Sequence, residues 1–148
     1  MKNKKRNLIL IGGGGHCVSA IDVIEQENKF NIIGIIDASV KKNNVLGYPV
    51  IGDDKSITKF INKNTYFLIT IGQIKSYSNR KEISNILDKN NANLATVISP
   101  RAYISRHSII KPGTIVMHDA LINANVTVGS NCIINSKSLI EHDSKISD

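Results

Sequence analysis

The chain has 148 residues, of which 41% are hydrophobic, and a formal net charge of +7 at pH 7. Lys and Arg are scattered, only 5% of the chain is aromatic and no nucleic-acid-binding motif is present, so we expect no nucleic-acid partner. No apolar run reaches the roughly 18 residues of a transmembrane helix. The apolar run after the basic N-terminus is too short for a signal peptide. We therefore predict a cytoplasmic protein without membrane insertion.

Strand and helix patterns alternate along the first 97 residues. Such alternation is typical of a parallel sheet built from βαβ units. We therefore predict a Rossmann-like α/β domain over residues 1–97. Its predicted elements are strands over 7–11, 31–36, 66–71 and 94–97, helices from residue 16, over 57–61 and over 79–90, and a turn at 47–49.

A glycine run follows the first predicted strand and precedes the first helix. It consists of Gly12, Gly13, Gly14 and Gly15. Exposed amide groups and the helix dipole make such a place an anion site. The dinucleotide fingerprint G-x-G-x-x-G is only partly met, because its third glycine position is Cys17. We predict a phosphate-bearing ligand here; the alternative is a turn that serves packing alone.

Four further residues are predicted to surround this turn. His16 would donate to a phosphate or cap the turn, and both alternatives stay open. Asp37 ends the second strand, where an acidic residue binds a ribose hydroxyl or a base edge. Gly72 and Gln73 end the third strand, and carboxyl ends of parallel strands bind ligands in open α/β sheets. For Gln73 the alternative of a polar loop that binds no ligand stays open. Arg80 is expected to be a solvated helix residue.

A six-residue period fills the rest of the chain. Neither a 3.6-residue helix nor free strand alternation fixes that period, whereas a repeated unit of one short strand and one turn does. The pattern resembles the hexapeptide repeat of left-handed parallel β-helices, which we predict over residues 98–148. The predicted inward positions are Ile98, Ile104, Ile110, Val116, Ile122, Val128, Ile134, Ile140 and Ile146.

One histidine of the repeat has carboxylates on both sides. His142 lies between Glu141 and Asp143 and, counted from the inward Ile140, points outward. A carboxylate partner orients an imidazole and raises its basicity, which suits a general base. His107 and His118 also lie in the repeat, but nothing near them in the sequence distinguishes them.

Together these motifs resemble the bacterial sugar acyltransferases of the sialic-acid O-acetyltransferase and UDP-4-amino-sugar N-acetyltransferase type (NeuD/PglD-like). The resemblance rests on Gly12 to His16, the acidic strand end, the Gly72 loop and repeats that include Ile140-Glu141-His142-Asp143. It implies that the N-terminal domain holds a nucleotide-sugar and that acetyl-CoA binds between the β-helices of a homotrimer. It also implies that His142 is the general base and that Asp143 orients it.

The sequence departs from this family in three ways. Asp37 is followed by Ala38 rather than by a longer acidic cluster, and Gln73 stands where asparagine is common. Family members also continue for several more coils, with a second histidine and a CoA-binding region. We therefore expect a fragment with an incomplete β-helix that is itself nearly inactive.

We predict an acetyl-CoA-dependent acetyltransferase that acts on an amine or hydroxyl of a nucleotide-activated or sialic-type sugar. Direct transfer is expected, because neither Cys17 nor Cys132 has an evident base partner. Their spacing offers no metal site or disulfide framework, and we expect no metal. The trimer would use outward residues Leu121, Ile133 and Leu139. The alternatives are a non-catalytic nucleotide-sugar-binding module and an NAD-dependent oxidoreductase domain, against which the repeat and the missing third glycine argue.

Overall fold

The computed structural model describes residues 5–39, 43–74 and 76–148, so the first four residues of the basic N-terminus lie outside it. A six-stranded sheet with helices on both faces is followed by a left-handed parallel β-helix. This architecture confirms the predicted fold class. None of the helices in the described part of the chain has both the length and the apolar character needed to span a membrane.

The α/β region packs helices on both faces of its sheet. Its strands are β1 (Arg6–Ile11), β2 (Phe30–Ile36), β3 (Asn44–Val45), β4 (Tyr48–Gly52), β5 (Thr65–Ile69) and β6 (Asn93–Leu94). Its helices are α1 (Gly15–Glu27), α2 (Ile57–Phe60) and α3 (Ser78–Lys89), with a 3₁₀ turn at Asp54–Ser56. The strand order is β3-β4-β2-β1-β5-β6, and only the β3–β4 pair is antiparallel.

The central strand β1 shows why both faces are covered. Its side chains alternate between faces: Leu8 and Leu10 join one apolar cluster with α1, whereas Ile9 and Ile11 join another with α2 and α3. All four are fully buried. A continuous apolar strand of this kind is typical of a parallel sheet that is buried on both sides.

Several predicted boundaries of the α/β region are wrong. The third predicted strand ends at Ile69 rather than at residue 71. The chain turns at Leu46–Gly47, and Tyr48 and Pro49 already belong to β4. Leu46 and Gly47 have φ of 48° and 86°, the positive values that a tight two-residue hairpin requires. The second helix also ends earlier than predicted, because the backbone is extended at Ile61.

The predicted strand over 94–97 is divided between the two regions. Leu94 ends β6 on the sheet, whereas Val97 pairs with Ile115 inside the β-helix. Between them, the Ala95 amide still donates to the Phe67 carbonyl at 2.8 Å. The domain division into residues 1–97 and 98–148 remains a prediction.

The β-helix consists of nine two-residue strands that stack at an 18-residue spacing. The first sheet contains β7 (Val97–Ile98), β10 (Ile115–Val116) and β13 (Ile133–Ile134). The second contains β8 (Tyr103–Ile104), β11 (Leu121–Ile122) and β14 (Leu139–Ile140). The third contains β9 (Ile109–Ile110), β12 (Thr127–Val128) and β15 (Lys145–Ile146).

Burial of the inward aliphatic residues depends on their place in the stack. Val116, Ile122 and Val128 of the middle coil are fully buried, whereas Ile146 of the last coil is 37% exposed. All of the predicted inward residues except Ile146 therefore form the β-helix core. A coil covered on both sides buries its side chains completely, as expected where neighbouring repeats supply the core.

The bends of the β-helix occur at residues with a left-handed backbone. From residue 113 onward these residues recur every six positions. Asn and Asp adopt this conformation more readily than other non-glycine residues. The residues are Gly113, Asp119, Asn125, Asn131, Lys137 and Asp143, with φ between 55° and 80°.

The two regions share a hydrophobic core along α1. Val97, Ile115 and Met117 of the β-helix pack in the same cluster as Cys17 and Ile21 of α1. Two polar contacts fix the direction of the stack: the Ile98 amide donates to Glu27 Oε1 at 3.1 Å, and His118 Nε2 lies 2.8 Å from Asp22 Oδ2. Successive coils thus climb along α1 toward its N-terminus.

Candidate functional site

The carboxyl ends of β1, β2 and β5 open into a cleft of about 460 Å³, here called the glycine-turn cleft. Open α/β sheets bind ligands at this edge, where the strand order reverses. The cleft collects most of the predicted substrate-binding residues. It is lined by Gly12, Gly14, Gly15, His16, Asp37 and Gly72, together with Ala38, Ser39, Asp54, Thr70, Ile71, Ile74 and Asn79.

Gly12 fixes the turn by backbone contacts. Its amide donates to the Ile36 carbonyl at 2.8 Å, and Thr70 Oγ1 donates to its carbonyl at 2.7 Å. Its φ is +108°, and a Cβ at this position would stand 2.8 Å from the Ile71 amide nitrogen. Both the backbone conformation and the close approach of Ile71 therefore require glycine here.

Gly14 and Gly15 have a different role from Gly12. Added Cβ atoms on these two residues would meet no atom within 4 Å, so the space above them is open. They begin α1, whose first turn has no acidic residue and which no described side chain caps. Free amide groups and the positive end of the helix dipole thus face the cleft, an arrangement that favours a bound anion.

Asp37 holds the glycine turn from the neighbouring strand. Its Oδ2 accepts a hydrogen bond from the Gly13 amide at 2.5 Å, although Gly13 itself does not line the cleft. Its Oδ1 accepts from the amide and hydroxyl of Ser39 at 2.6 and 2.7 Å. Asp37 therefore positions the turn in this structure, and its contact with a ribose or base stays a prediction.

His16 lines the cleft and has an unsatisfied ring nitrogen. Its Nε2 is buried and has no hydrogen-bond partner among the described residues. Burial, and secondly the nearby charge of Arg80, lower the pKa of His16 below its usual value, so the ring is neutral near pH 7. Since no side chain caps α1, the capping alternative for His16 has no support.

Gln73 and Arg80 do not lie where the sequence suggested. Gln73 lines a second cleft, between α3 and the β-helix, instead of the glycine-turn cleft. Arg80 is only 6% exposed, so the prediction of a solvated residue is wrong. Its guanidinium donates to the carbonyls of Ile69, Ile71 and Asn131 at 3.0, 2.6 and 2.6 Å.

His142 lies on the turn between β14 and β15 and is oriented by two side chains in series. Its Nδ1 lies 2.5 Å from Asp143 Oδ2, and Asp143 Oδ1 accepts from Asn125 Nδ2 at 2.5 Å. The His142 side chain is 73% exposed, which leaves Nε2 directed away from this pair. We refer to these three residues as the His142 relay.

The relay sets the charge state of its members. The hydrogen bond that His142 donates to Asp143, followed by the charge of Asp143, raises the pKa of His142. The hydrogen bond from Asn125, followed by that from His142, lowers the pKa of Asp143. A carboxylate that stays ionised beside the imidazole makes its free nitrogen a stronger base.

The glycine-turn cleft and the His142 relay do not meet within one chain. The first sheet of the β-helix packs on α1, whereas His142 lies at the corner between the second and third sheets. In a triangular coil this corner is opposite the first sheet. The two sets of predicted site residues therefore lie on different sides of the β-helix.

Residues 7–87, more than half of the chain, match the family described as the PglD N-terminal domain. The chain belongs to the PglD N-terminal domain family. This assignment confirms the resemblance found in the sequence. The match includes the whole glycine turn, Asp37, Gly72 and Arg80. No protein of curated function matches the chain in sequence.

Solved structures with similar folds cover nearly all of this chain. A mutant of perosamine N-acetyltransferase from Caulobacter crescentus, in complex with CoA and GDP-perosamine, is 26% identical with a TM-score of 0.85, over 95% of this chain and 65% of that protein. The acetyltransferase domain of PglB from Neisseria gonorrhoeae, in complex with acetyl coenzyme A, is 24% identical with a TM-score of 0.87, over 97% and 68%. WeeI from Acinetobacter baumannii is 19% identical with a TM-score of 0.79, over 95% and 66%. The chain thus spans less than two thirds of the length of the perosamine enzyme.

Sequence reasoning missed Asn125, the residue that supports Asp143. A signal was available, because a residue 18 positions earlier lies one coil below in a β-helix of three hexads. The same rule finds Asn123, whose Nδ2 donates to Glu141 Oε2 at 2.8 Å. Both asparagines would have been candidates once the period was known.

His118 was also missed, and it joins the two regions. Its Nδ1 lies 2.6 Å from Ser99 Oγ and its Nε2 lies 2.8 Å from Asp22 Oδ2. This resembles a serine–histidine–aspartate arrangement, but Ser99 is 1% exposed and its Oγ also accepts the Arg101 amide. A substrate cannot reach that hydroxyl, so the contact links α1 to the β-helix. Only the packing of α1 brings Asp22 to His118, and no sequence spacing indicates it.

Proposed function

We propose that this chain serves an acetyl-CoA-dependent acetyltransferase that modifies an amine or hydroxyl of a nucleotide-activated or sialic-type sugar. The observation that carries the proposal is the combination of an open anion cleft at a glycine turn with a carboxylate-oriented histidine on a β-helix. A similar structure, at 26% identity, holds CoA and GDP-perosamine.

In this proposal the glycine-turn cleft binds the nucleotide part of the nucleotide-sugar, whose sugar is the acetyl acceptor. The amides of Gly14 and Gly15 and the α1 dipole would hold the diphosphate. His16, with its unpartnered Nε2, would donate to or accept from the same ligand. Asp37 and Asp54 line the side of the cleft beyond β2 and would face the base or ribose.

His142 would act as the general base of direct acetyl transfer. As the acceptor nitrogen or oxygen attacks the thioester carbonyl of acetyl-CoA, His142 Nε2 takes its proton. The new bond to the acetyl carbon forms, the carbon–sulfur bond breaks, and the leaving thiolate of CoA recovers the proton from the imidazolium. Asp143 and Asn125 hold the ring in the orientation that exposes Nε2.

The cysteines support direct transfer rather than a covalent acyl-enzyme. Burial raises the pKa of Cys17 to about 11, and burial likewise raises the pKa of Cys132. A reactive cysteine needs a lowered pKa, because the thiolate is the nucleophile. Both thiols are therefore protonated at neutral pH.

A homotrimer would bring the relay of one copy to the glycine-turn cleft of another. Its proposed contact surface is a column on the second sheet: Tyr103, Leu121 and Leu139 are 60%, 37% and 61% exposed and stack in register. Ile133, which was predicted to share this surface, instead packs against the cluster around α1. Because β13 belongs to the first sheet, its outer face is covered by the α/β region.

Light scattering tests the assembly. Leu139→Glu introduces a charge into the column and should shift a trimer to monomer, whereas Thr127→Glu on the third sheet should leave it intact. A monodisperse monomer of the unchanged protein at high concentration would contradict the homotrimer.

Calorimetric titration tests the ligand class. UDP-sugars, GDP-sugars, CMP-sialic acid and NAD are compared, and a sugar nucleotide should bind best. Gly14→Glu should abolish binding, because a carboxylate would stand where the anion is held. Ser19→Glu, an exposed change one turn further along α1, is the matched control and should bind normally. Tight NAD binding without response to sugar nucleotides would overturn the assignment.

A further inference from the structure

A second cleft, of about 420 Å³, lies where α3 meets the β-helix, and we call it the α3 cleft. It does not share any lining residue with the glycine-turn cleft. The proposed acetyl transfer uses none of its residues. They are Gln73, Tyr77, Arg80, Lys81, Ser84, Ser130, Asn131 and Asp148.

Arg80 is a buried cation of this cleft without a carboxylate partner among the described residues. Its three hydrogen bonds go to the carbonyls of Ile69, Ile71 and Asn131 and use three of its five N–H groups. Neutral carbonyls satisfy donors but do not neutralise the charge. Buried charges are normally paired, because an isolated one is costly in a low-dielectric interior.

A second cation stands beside Arg80 on α3. Lys81 lines the same cleft, and its Nζ lies 6.0 Å from the centre of the Tyr77 ring. It forms no ion pair within the described part of the chain. The one carboxylate of the cleft, Asp148, accepts the Ser130 amide through Oδ1 at 2.6 Å. The cationic side chains of the cleft therefore outnumber its carboxylate side chains by one.

We infer that the α3 cleft binds a phosphate group, with Arg80 and Lys81 as its two cationic contacts. A bound anion would offset the positive charge in excess among the side chains of the cleft. The planar fork of Arg80 and the mobile ammonium of Lys81 donate from different directions, which suits a tetrahedral anion. The Ser130 hydroxyl and the Gln73 amide, which also line the cleft, supply neutral donors. The ligand is either free phosphate or the phosphomonoester of a nucleotide.

Titration with inorganic phosphate in about 0.1 M NaCl tests the inference. Amide shifts in ¹⁵N-labelled protein should move at residues 77–84 and 130–131 and should saturate, with a Kd on the order of 1 mM. Lys81→Ala should weaken this binding about tenfold, since one charge-assisted contact is lost. Lys89→Ala, in the last turn of the same helix, is the matched control and should bind normally.

Further experiments show where phosphate binds and which kind of phosphate the α3 cleft prefers. In Gly14→Glu protein the shifts of the α3 cleft should persist, so the inference can fail or stand separately from the proposed function. Adenosine 3′,5′-bisphosphate that binds at least tenfold tighter than phosphate would indicate a nucleotide phosphomonoester, and equal affinity would indicate free phosphate. Arg80→Lys keeps the positive charge but loses the planar guanidinium. This variant should still fold, and it should bind phosphate more weakly.

Three results would overturn the inference. One is an absence of saturation up to tens of millimolar phosphate. Another is a set of shifts confined to the glycine turn. The third is equal binding by the Lys81→Ala and Lys89→Ala proteins.

Discussion

The glycine-turn cleft and the His142 relay are built in opposite ways. The cleft is fixed mostly by backbone: Gly12 joins β1 to β2 and β5, and the space that it leaves lies above the start of α1. The relay is a series of exposed side chains on one corner of the β-helix. The residues that line the cleft thus come from one chain and are held by backbone contacts, whereas the relay faces solvent. Four predictions test this contrast.

The largest effect is expected at the relay. His142→Ala should lower the rate of acetyl transfer by about 10²–10⁴, because a general base contributes that factor. Sugar-nucleotide binding should be unchanged, since the cleft is formed elsewhere. Release of free thiol from acetyl-CoA measures the first quantity, in a form of the protein that shows transfer, and calorimetry measures the second. Turnover that survives the substitution would remove His142 from the mechanism.

The cleft should instead be sensitive through its backbone. Gly12→Ala should lower the free energy of unfolding by about 3 kcal/mol, because a positive φ and the contact with the Ile71 amide are both penalised. Gly14→Ala is the control and should change stability by less than about 1 kcal/mol. Urea denaturation measures both. Equal stabilities for the two variants would mean that the turn is not fixed as described.

The pH dependence separates the parts of the relay. Asp143 raises the pKa of His142, and the base form exists above that pKa, so the rate should rise as the pH rises through it. Asp143→Asn removes the carboxylate that raises the pKa of His142, so the rise of the rate with pH should occur at lower pH. The maximal rate should also fall, though less than in His142→Ala. Rates from pH 5 to 9 show this. A rate that rises over the same pH range in both proteins would contradict the role of Asp143.

The smallest effect is expected where the two regions meet. Hydrogen bonding from His118, followed by that from Gln26, lowers the pKa of Asp22 below its usual value of 3.8. The ionised Asp22 therefore stabilises the fold at pH values above 3.8. This stabilisation is lost as the pH falls through the lowered pKa. Asp22→Asn should therefore be less stable than the unchanged protein at pH 7 and equally stable near pH 2. Thermal unfolding at the two pH values measures this. A difference that persists in acid would point to lost packing instead.

Local sequence patterns predicted the strands and helices better than they predicted the tertiary contacts of individual residues. The burial of Leu8 to Ile11 in β1 and the positive φ of Gly12 follow from the residue types of that segment. Val97 could not be assigned in the same way, since an apolar residue after an apolar run fits either region. Its pairing with Ile115 decides that it opens the β-helix. Arg80 shows the same limit, because its burial depends on a turn 51 residues later.

The sequence by itself determined the six-residue period, the glycine turn and the adjacency of His142 and Asp143, because each depends on residues close together in the chain. Only the tertiary structure decided that Asn125 supports Asp143, that His118 joins Asp22 and that Gln73 and Arg80 share a second cleft. Those contacts arise from the stacking of coils and the packing of α1 and α3 on the β-helix. The free energy of such packing depends on which surfaces meet, and no short pattern of residues records that.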